Sequence, residues 1–191
     1  MILLREVKPS DKNMLRTWRN LPGVNRYLYN DHEISTEEHN RWFQGVFTDP
    51  SRRYWIISCD EEDVGVAYLY NIDLKNQRCY WAFYLASPNT RGKGIGSFVE
   101  YSILKHVFDD MKLQKLCAEV LAFNEPVTNM HKGFGFVEEG RFRKHIYKGG
   151  QFDDIICVAM LKEDWETKRP EIEERLRRKG LIPFEECISC P

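Results

Sequence analysis

One short run gathers the residue types that hold anions: Arg91-Gly92-Lys93-Gly94-Ile95-Gly96-Ser97. Glycines let a backbone take positive φ and come close to a ligand. Successive N–H groups can then converge on one concavity. A helix that follows adds its free N–H groups and the positive end of its dipole. Phosphate or pyrophosphate is the natural guest, and Arg91 and Lys93 add charge. An ordinary glycine-rich turn is the alternative. Neither G-x-x-x-x-G-K-[ST] nor G-x-G-x-x-G is present, so the run is not a P-loop or a dinucleotide fingerprint.

The surrounding pattern places this loop between a strand and a helix. Ile2 to Val7 reads as a strand, followed by a helix capped at Ser10 or Asp11, with Met14, Leu15 and Trp18 inward and Pro22-Gly23 as its stop. Ser35 and Glu38 have capping-box spacing before a helix carrying Trp42, Phe43, Val46 and Phe47. Tyr54–Cys59, Val64–Ile72 and Cys79–Leu85 are short β-rich runs separated by Asp60–Asp63 and Leu74–Gln77, which predicts an antiparallel meander. Behind the loop, Phe98, Val99, Ile103, Leu104, Val107, Phe108 and Met111 have helical spacing. Lys115–Leu121 is a strand, Glu125–Lys132 a short helix, and Phe136–Tyr147 with Phe152–Leu161 a hairpin around Gly149-Gly150. Glu163 to Lys179 is a charged helix whose alternating signs suggest a solvated face. The order predicts an α+β fold with a mostly antiparallel central sheet flanked by helices. Residues 1–162 are expected to form one domain, with a helix and tail over 163–191.

Composition narrows the functional classes. The 191 residues carry 28 Lys plus Arg against 29 Asp plus Glu, a formal charge of −1. A general nucleic-acid binder should show a basic excess. Apolar residues make up 42% and charged residues 30%, a globular mixture. No run approaches the ~20 apolar residues of a membrane span. Met1–Leu4 meets charge at Arg5, too soon for a signal peptide, so a cytoplasmic protein is expected. Cys59, Cys79, Cys117 and Cys157 lie in strand-like runs, where a thiol acts as a small hydrophobe. Cys187 and Cys190 form a terminal C-x-x-C without the second pair that zinc needs, and no metal site is expected.

Arg91, Gly94 and Gly96 have the spacing R-x-x-G-x-G, and Asn124-Glu125-Pro126-Val127, Met130-His131 and Gly135-Phe136 follow downstream. On these two marks and the element order over roughly residues 2–161, the chain resembles the GNAT family of acetyl-CoA-dependent N-acetyltransferases. The resemblance implies that the strands Cys79–Leu85 and Lys115–Leu121 begin paired and then splay, with acetyl-CoA in the V. Residues 91–97 would cradle its pyrophosphate, and Asn124 would also contact it. The backbone of Phe83, Tyr84 and Leu85 would bind its pantetheine arm like an added strand. An amine would attack the thioester directly, so no thiol is nominated as a nucleophile.

That chemistry needs a base for the amine and an acid for the departing thiolate. Glu119, on the strand bordering the cleft, is the candidate base; a solvent-facing strand carboxylate is its ordinary reading. His131 stands where the family usually carries an acidic tyrosine, and an imidazole can also donate a proton. Tyr84 is the backup acid, or else a core aromatic.

Trp18-Arg19-Asn20, Ile34 to His39, Trp81 to Tyr84 and Ala118-Glu119-Val120 resemble more closely the nucleotide-sugar acetyltransferases of pseudaminic-acid biosynthesis. The acceptor this implies is a UDP-linked 4-amino-4,6-dideoxy sugar, acetylated at its 4-amino group. Arg19 and His39 would then meet the diphosphate, and Tyr68 and Trp81, with Trp42 and Tyr70, would line the sugar or uracil pocket. A polyamine, aminoglycoside or protein N-terminus is the alternative acceptor. A non-catalytic acyl-CoA-binding module is the alternative of another class. A homodimer is compatible with either.

Overall fold

The computed structural model describes residues 1–90 and 92–183. Arg91 and the Cys187/Cys190 pair lie outside the described residues. The elements are β1 (Ile2–Glu6), α1 (Lys12–Arg19), α2 (Pro22–Asn25), α3 (Thr36–Thr48), β2 (Arg53–Cys59), β3 (Glu62–Asp73) and β4 (Arg78–Leu85). Then follow α4 (Ile95–Lys105), β5 (Lys115–Leu121), α5 (Glu125–Phe134), β6 (Val137–Lys148), β7 (Gln151–Leu161) and α6 (Lys162–Arg178). The seven strands form one sheet in the order β1-β2-β3-β4-β5-β7-β6. Every pairing is antiparallel except β4 with β5. This is the α+β fold that the sequence predicts.

Strand alternation divides the core between the two faces of the sheet. Ile57, Ala67, Leu69 and Trp81 join one face with Val99, Leu104 and Trp165. Ile56 and Val66 join the other with Leu15 and Phe43. The α1–α3 side therefore covers one face, and α4 with α6 covers the other.

Local chemistry explains most boundaries. Ser35 Oγ accepts from Glu38 N at 3.1 Å and caps α3, a contact worth about 1 kcal/mol. Asp11 is no side-chain cap for α1; its carboxylate accepts from Lys8 N at 2.8 Å and pairs with Arg5. Pro22 begins a second short helix instead of only ending the first, because proline suits a first helical position. The β2–β3 turn is tighter than expected. Asp60 (φ 53°) and Glu61 (φ 67°) turn the chain alone, in the left-handed geometry that matches strand twist.

The terminal helix departs from the solvated reading. α6 is charged, yet Trp165, Ile172 and Leu176 sit in the main core at 0%, 2% and 1% exposure, so 163–178 packs onto the same body as 1–162. The buried Glu173 of this helix accepts from Tyr101 Oη at 2.9 Å and pairs with Arg169. Cys59, Cys79 and Cys117 are buried and unbridged. Among the described residues no helix is long and apolar enough to cross a membrane, and no cluster of His, Cys, Asp and Glu is placed to hold a metal.

Candidate active site

The parallel register of β4 and β5 runs Arg78–Lys115, Cys79–Leu116 and Tyr80–Cys117, and stops. Beyond it β4 continues to Leu85 and β5 to Leu121 as separate strands. Among the described residues, the inner edge of β4 from Trp81 onward thus has no strand partner on the β5 side, which leaves main-chain donors and acceptors for a ligand. A cavity of about 490 Å³ opens at this parting. Trp81 to Tyr84 and Ala118 to Leu121 form two of its walls.

Nine of the residues singled out in the sequence meet around this one cavity: Arg19, His39, Tyr68, Trp81, Phe83, Tyr84, Glu119, Asn124 and His131. Trp42 and Tyr70 join them. Residues 92–97 of the glycine-rich loop are not in the cavity wall; they lie alongside, at the start of α4. Gly94 caps that helix in the left-handed conformation (φ 72°), where a side chain would be strained and a Cβ would stand 2.7 Å from the side chain of Leu181. Phe98 N bonds back to Gly94 O at 3.0 Å, so the N–H groups of Ile95, Gly96 and Ser97 are the open donors of the helix terminus. The Ile95 side chain is core, leaving only its backbone to face a ligand. Gly96 lies against Phe83 of β4 and Met130 of α5, which joins the loop to the cavity. Leu85 pairs with Gly65 of β3, and its side chain packs on the core. Lys93 points to the β2–β3 turn, 3.9 Å from Asp60. Asn124 begins α5 without spending its side chain as a cap.

The cavity residues differ in how far they are already committed. Glu119 Oε2 accepts from Tyr29 Oη at 2.6 Å. His131 is 3% exposed, and its Nδ1 lies 2.7 Å from Oε1 of the fully buried Glu100. Arg19 Nη2 donates to Asn30 Oδ1, while Nη1 is buried with no partner among the described residues. Burial pulls the Arg19 guanidinium below its ordinary range, although arginine still holds its proton in water-accessible conditions. His39 Nε2 donates to Lys12 O at 2.7 Å, and burial favours the neutral ring. Its Nδ1 is then an acceptor, so His39 brings no positive charge to a diphosphate. Trp81 Nε1 is buried without a partner among the described residues. Tyr84 lies with Tyr68 and Trp42 on the α1–α3 face, whereas Trp81 and Phe83 face the side where His131 packs. Burial pushes the Tyr84 phenol well up and the Tyr68 phenol to about 12, so both stay protonated.

Tyr29, Asn30 and Glu100 escaped sequence reading. Tyr29 and Asn30 sit in an irregular loop with no periodic signal. Glu100 left one: it occupies the apolar helical stripe with Ile103, Leu104 and Val107, at i, i+3, i+4 and i+7.

The central parallel pair parts beside a helix that begins at Gly94, the arrangement that the resemblance to acetyl-CoA-dependent transferases implies. The family model described as acetyltransferase (GNAT) domain matches residues 1–137, and the chain belongs to that family. It is an acetyl-CoA-dependent N-acetyltransferase. The SPbeta prophage-derived uncharacterized N-acetyltransferase YokL of Bacillus subtilis is 29% identical over 133 residues, covering 69% of this chain and 74% of that one. Acetyltransferase PseH of Campylobacter jejuni (strain 81-176) is 29% identical over 127 residues, covering 66% and 77%. Among solved structures, spermidine N-acetyltransferase from Vibrio cholerae in complex with CoA and spermine superimposes with a TM-score of 0.79 at 19% identity, over 86% of this chain and 98% of that one. At that identity the likeness is one of fold.

Proposed function

We propose that the chain acetylates the 4-amino group of a UDP-linked 4-amino-4,6-dideoxy sugar. The observation that carries this reading is the buried Nη1 of Arg19, without a partner among the described residues, in an aromatic cavity wall. A buried donor without a partner costs about 1–3 kcal/mol, which an oxygen of an incoming diphosphate would offset. Trp42, Tyr54 and Tyr68 supply flat faces suited to a base or a sugar. The sequence resemblance to nucleotide-sugar acetyltransferases and the Campylobacter PseH relatives support the same acceptor class.

Acetyl-CoA supplies an acetyl group activated as a thioester. The open edge of β4 at Phe83 to Leu85 would bind its pantetheine arm, and residues 92–97 its pyrophosphate, with Arg91 and Asn124 as further contacts. Glu119 would take the amine proton as the nitrogen–carbon bond forms, and His131 Nε2 would give a proton to the sulfur as the carbon–sulfur bond breaks. Tyr84, beside Arg19, belongs to the acceptor wall in this assignment, and His131 is the acid.

A polyamine acceptor is the second reading, supported by the Vibrio neighbour's fold and by Glu38 and Glu119 in the cavity wall. Arg19 and Arg52 line the same cavity, so its charges balance, which disfavours a polycation. Calorimetry with UDP alone tests the acceptor assignment. Binding that weakens about tenfold in Arg19→Met supports it; no binding by the wild-type protein counts against it.

A further inference from the structure

The helix that begins at the glycine-rich loop carries one carboxylate into the core. Glu100 is 0% exposed, on the stripe of α4 that faces Trp81 of β4 and α5. Its Oε1 meets His131 Nδ1 at 2.7 Å, and its Oε2 has no partner among the described residues. An ionised carboxylate in the interior is costly unless a donor compensates it. Here the compensation falls on one N–H, that of the imidazole.

We infer that Glu100 is a positioning residue for acetyl transfer: it fixes His131 with Nδ1–H toward the carboxylate and Nε2 toward the cavity, so that the ring can hold and deliver a proton there. The inference rests on the proposed role of His131 as the acid. The packing also restrains the ring. Trp81 meets it edge-on at 5.3 Å between centroids, and Phe136 lies at 5.1 Å. His131 lines the cavity, and Nδ1 is its hydrogen-bonded nitrogen, so Nε2 is the one left for chemistry.

The proton balance is simple. For His131 to act as the acid, Nδ1–H and Nε2–H must both be present before transfer, and the imidazolium then offsets the Glu100 charge. As the thioester carbon–sulfur bond breaks, Nε2 gives its proton to sulfur. The neutral ring then keeps Nδ1–H on Glu100, and Nε2 regains a proton from solvent. Burial raises the Glu100 carboxyl, while the imidazole, and from α6 the Arg175 guanidinium, favour its ionised form. A carboxylate so poorly solvated holds the Nδ1 proton firmly. The same arrangement, a histidine oriented by a buried carboxylate, is what general acid–base catalysis requires of a side chain that must neither rotate nor change tautomer.

The test uses Glu100→Gln, which keeps the shape and an acceptor oxygen but removes the charge. Turnover is expected to fall about tenfold or more while the acetyl-CoA KM holds, and the alkaline limb of the rate profile to move down by about one pH unit. His131→Ala should cost as much, and the double variant no more than His131→Ala alone. If His131→Ala loses turnover but Glu100→Gln keeps the wild-type rate and profile, the positioning role falls and the acid assignment stands. If His131→Ala turns over as wild type, the acid assignment itself falls, and the inference with it. Nitrogen-15 NMR of the wild-type protein decides without any variant. The neutral His131 ring should carry its proton on Nδ1, the minor tautomer of free histidine; a proton on Nε2 would overturn the inference.

Discussion

Tyr29 donates its phenolic hydrogen to Glu119 Oε2 at 2.6 Å, joining the loop after α2 to the middle of β5. Burial and the facing carboxylate push the Tyr29 phenol far up, so it stays a donor at any working pH. One oxygen of Glu119 is thereby held while the residue lines the cavity. The loop is itself fastened from below: Lys148 Nζ donates to Leu28 O at 2.6 Å, and Gly149 N to Asp31 Oδ2 at 3.1 Å. The β6–β7 turn thus sets where Tyr29 stands, and Tyr29 sets how Glu119 is presented.

Glu119→Gln should lower turnover by about a hundredfold and leave acetyl-CoA affinity intact, since a positioned base contributes on that scale. Steady-state rates from about pH 6 to about pH 9 check this. A variant rate equal to wild type across that range would place the base elsewhere.

Arg19→Met should raise the acceptor KM about tenfold to a hundredfold with little change in the acetyl-CoA KM, the loss of one charge-assisted contact. The substitution keeps the stem that packs among the aromatic rings. If only acetyl-CoA kinetics respond, the acceptor wall has been misplaced.

Gly94→Asp meets two obstacles. It puts a side chain at φ 72° and drives it toward Leu181. Weaker acetyl-CoA binding and a loss of about 1–3 kcal/mol in stability are both expected. Gly94→Asp combined with Leu181→Ala relieves the collision but not the negative charge beside the helix terminus. Calorimetric affinity for acetyl-CoA should stay low in the double variant; recovery to wild type would remove the loop from the proposed site.

Stability should fall in acid through the Arg5 network. Arg5 holds Asp63 and Asp11 below their ordinary carboxylate range. Carboxyls depressed on folding contribute stability above their unfolded values and lose it as pH falls through the folded ones. Tm should therefore drop steeply below about pH 4, and Arg5→Met should lower Tm near neutrality and flatten that acid slope. Parallel melting curves for the two proteins in acid would show that the network is not the cause.

Hydrophobic periodicity and turn residues located every long element, because those signals are local. The strand Lys115–Leu121 has the limits read from its apolar run, and Ser35 caps α3 as its spacing suggests. The splay of β4 from β5 was legible only through family resemblance, since it depends on pairing between strands about 35 residues apart. Contacts set by tertiary packing were the least legible. Nothing local marks Tyr29 as the partner of Glu119. The charge pattern of Glu163–Lys179 hid a narrow buried stripe at Trp165, Ile172 and Leu176. His39 reads as a basic residue in sequence, yet burial favours its neutral ring, and its bond to the Lys12 carbonyl makes it a brace between α3 and α1.

The most direct measurement is mass spectrometry of a mixed acceptor panel incubated with acetyl-CoA and the protein. The panel holds a UDP-linked 4-amino-4,6-dideoxy sugar, spermidine and a peptide with a free N-terminus, and mass detection avoids thiol reagents that the protein's own cysteines would consume. A gain of one acetyl group is expected on the nucleotide sugar alone, abolished or sharply slowed in Arg19→Met. Acetylation of spermidine or the peptide with the nucleotide sugar untouched would contradict it.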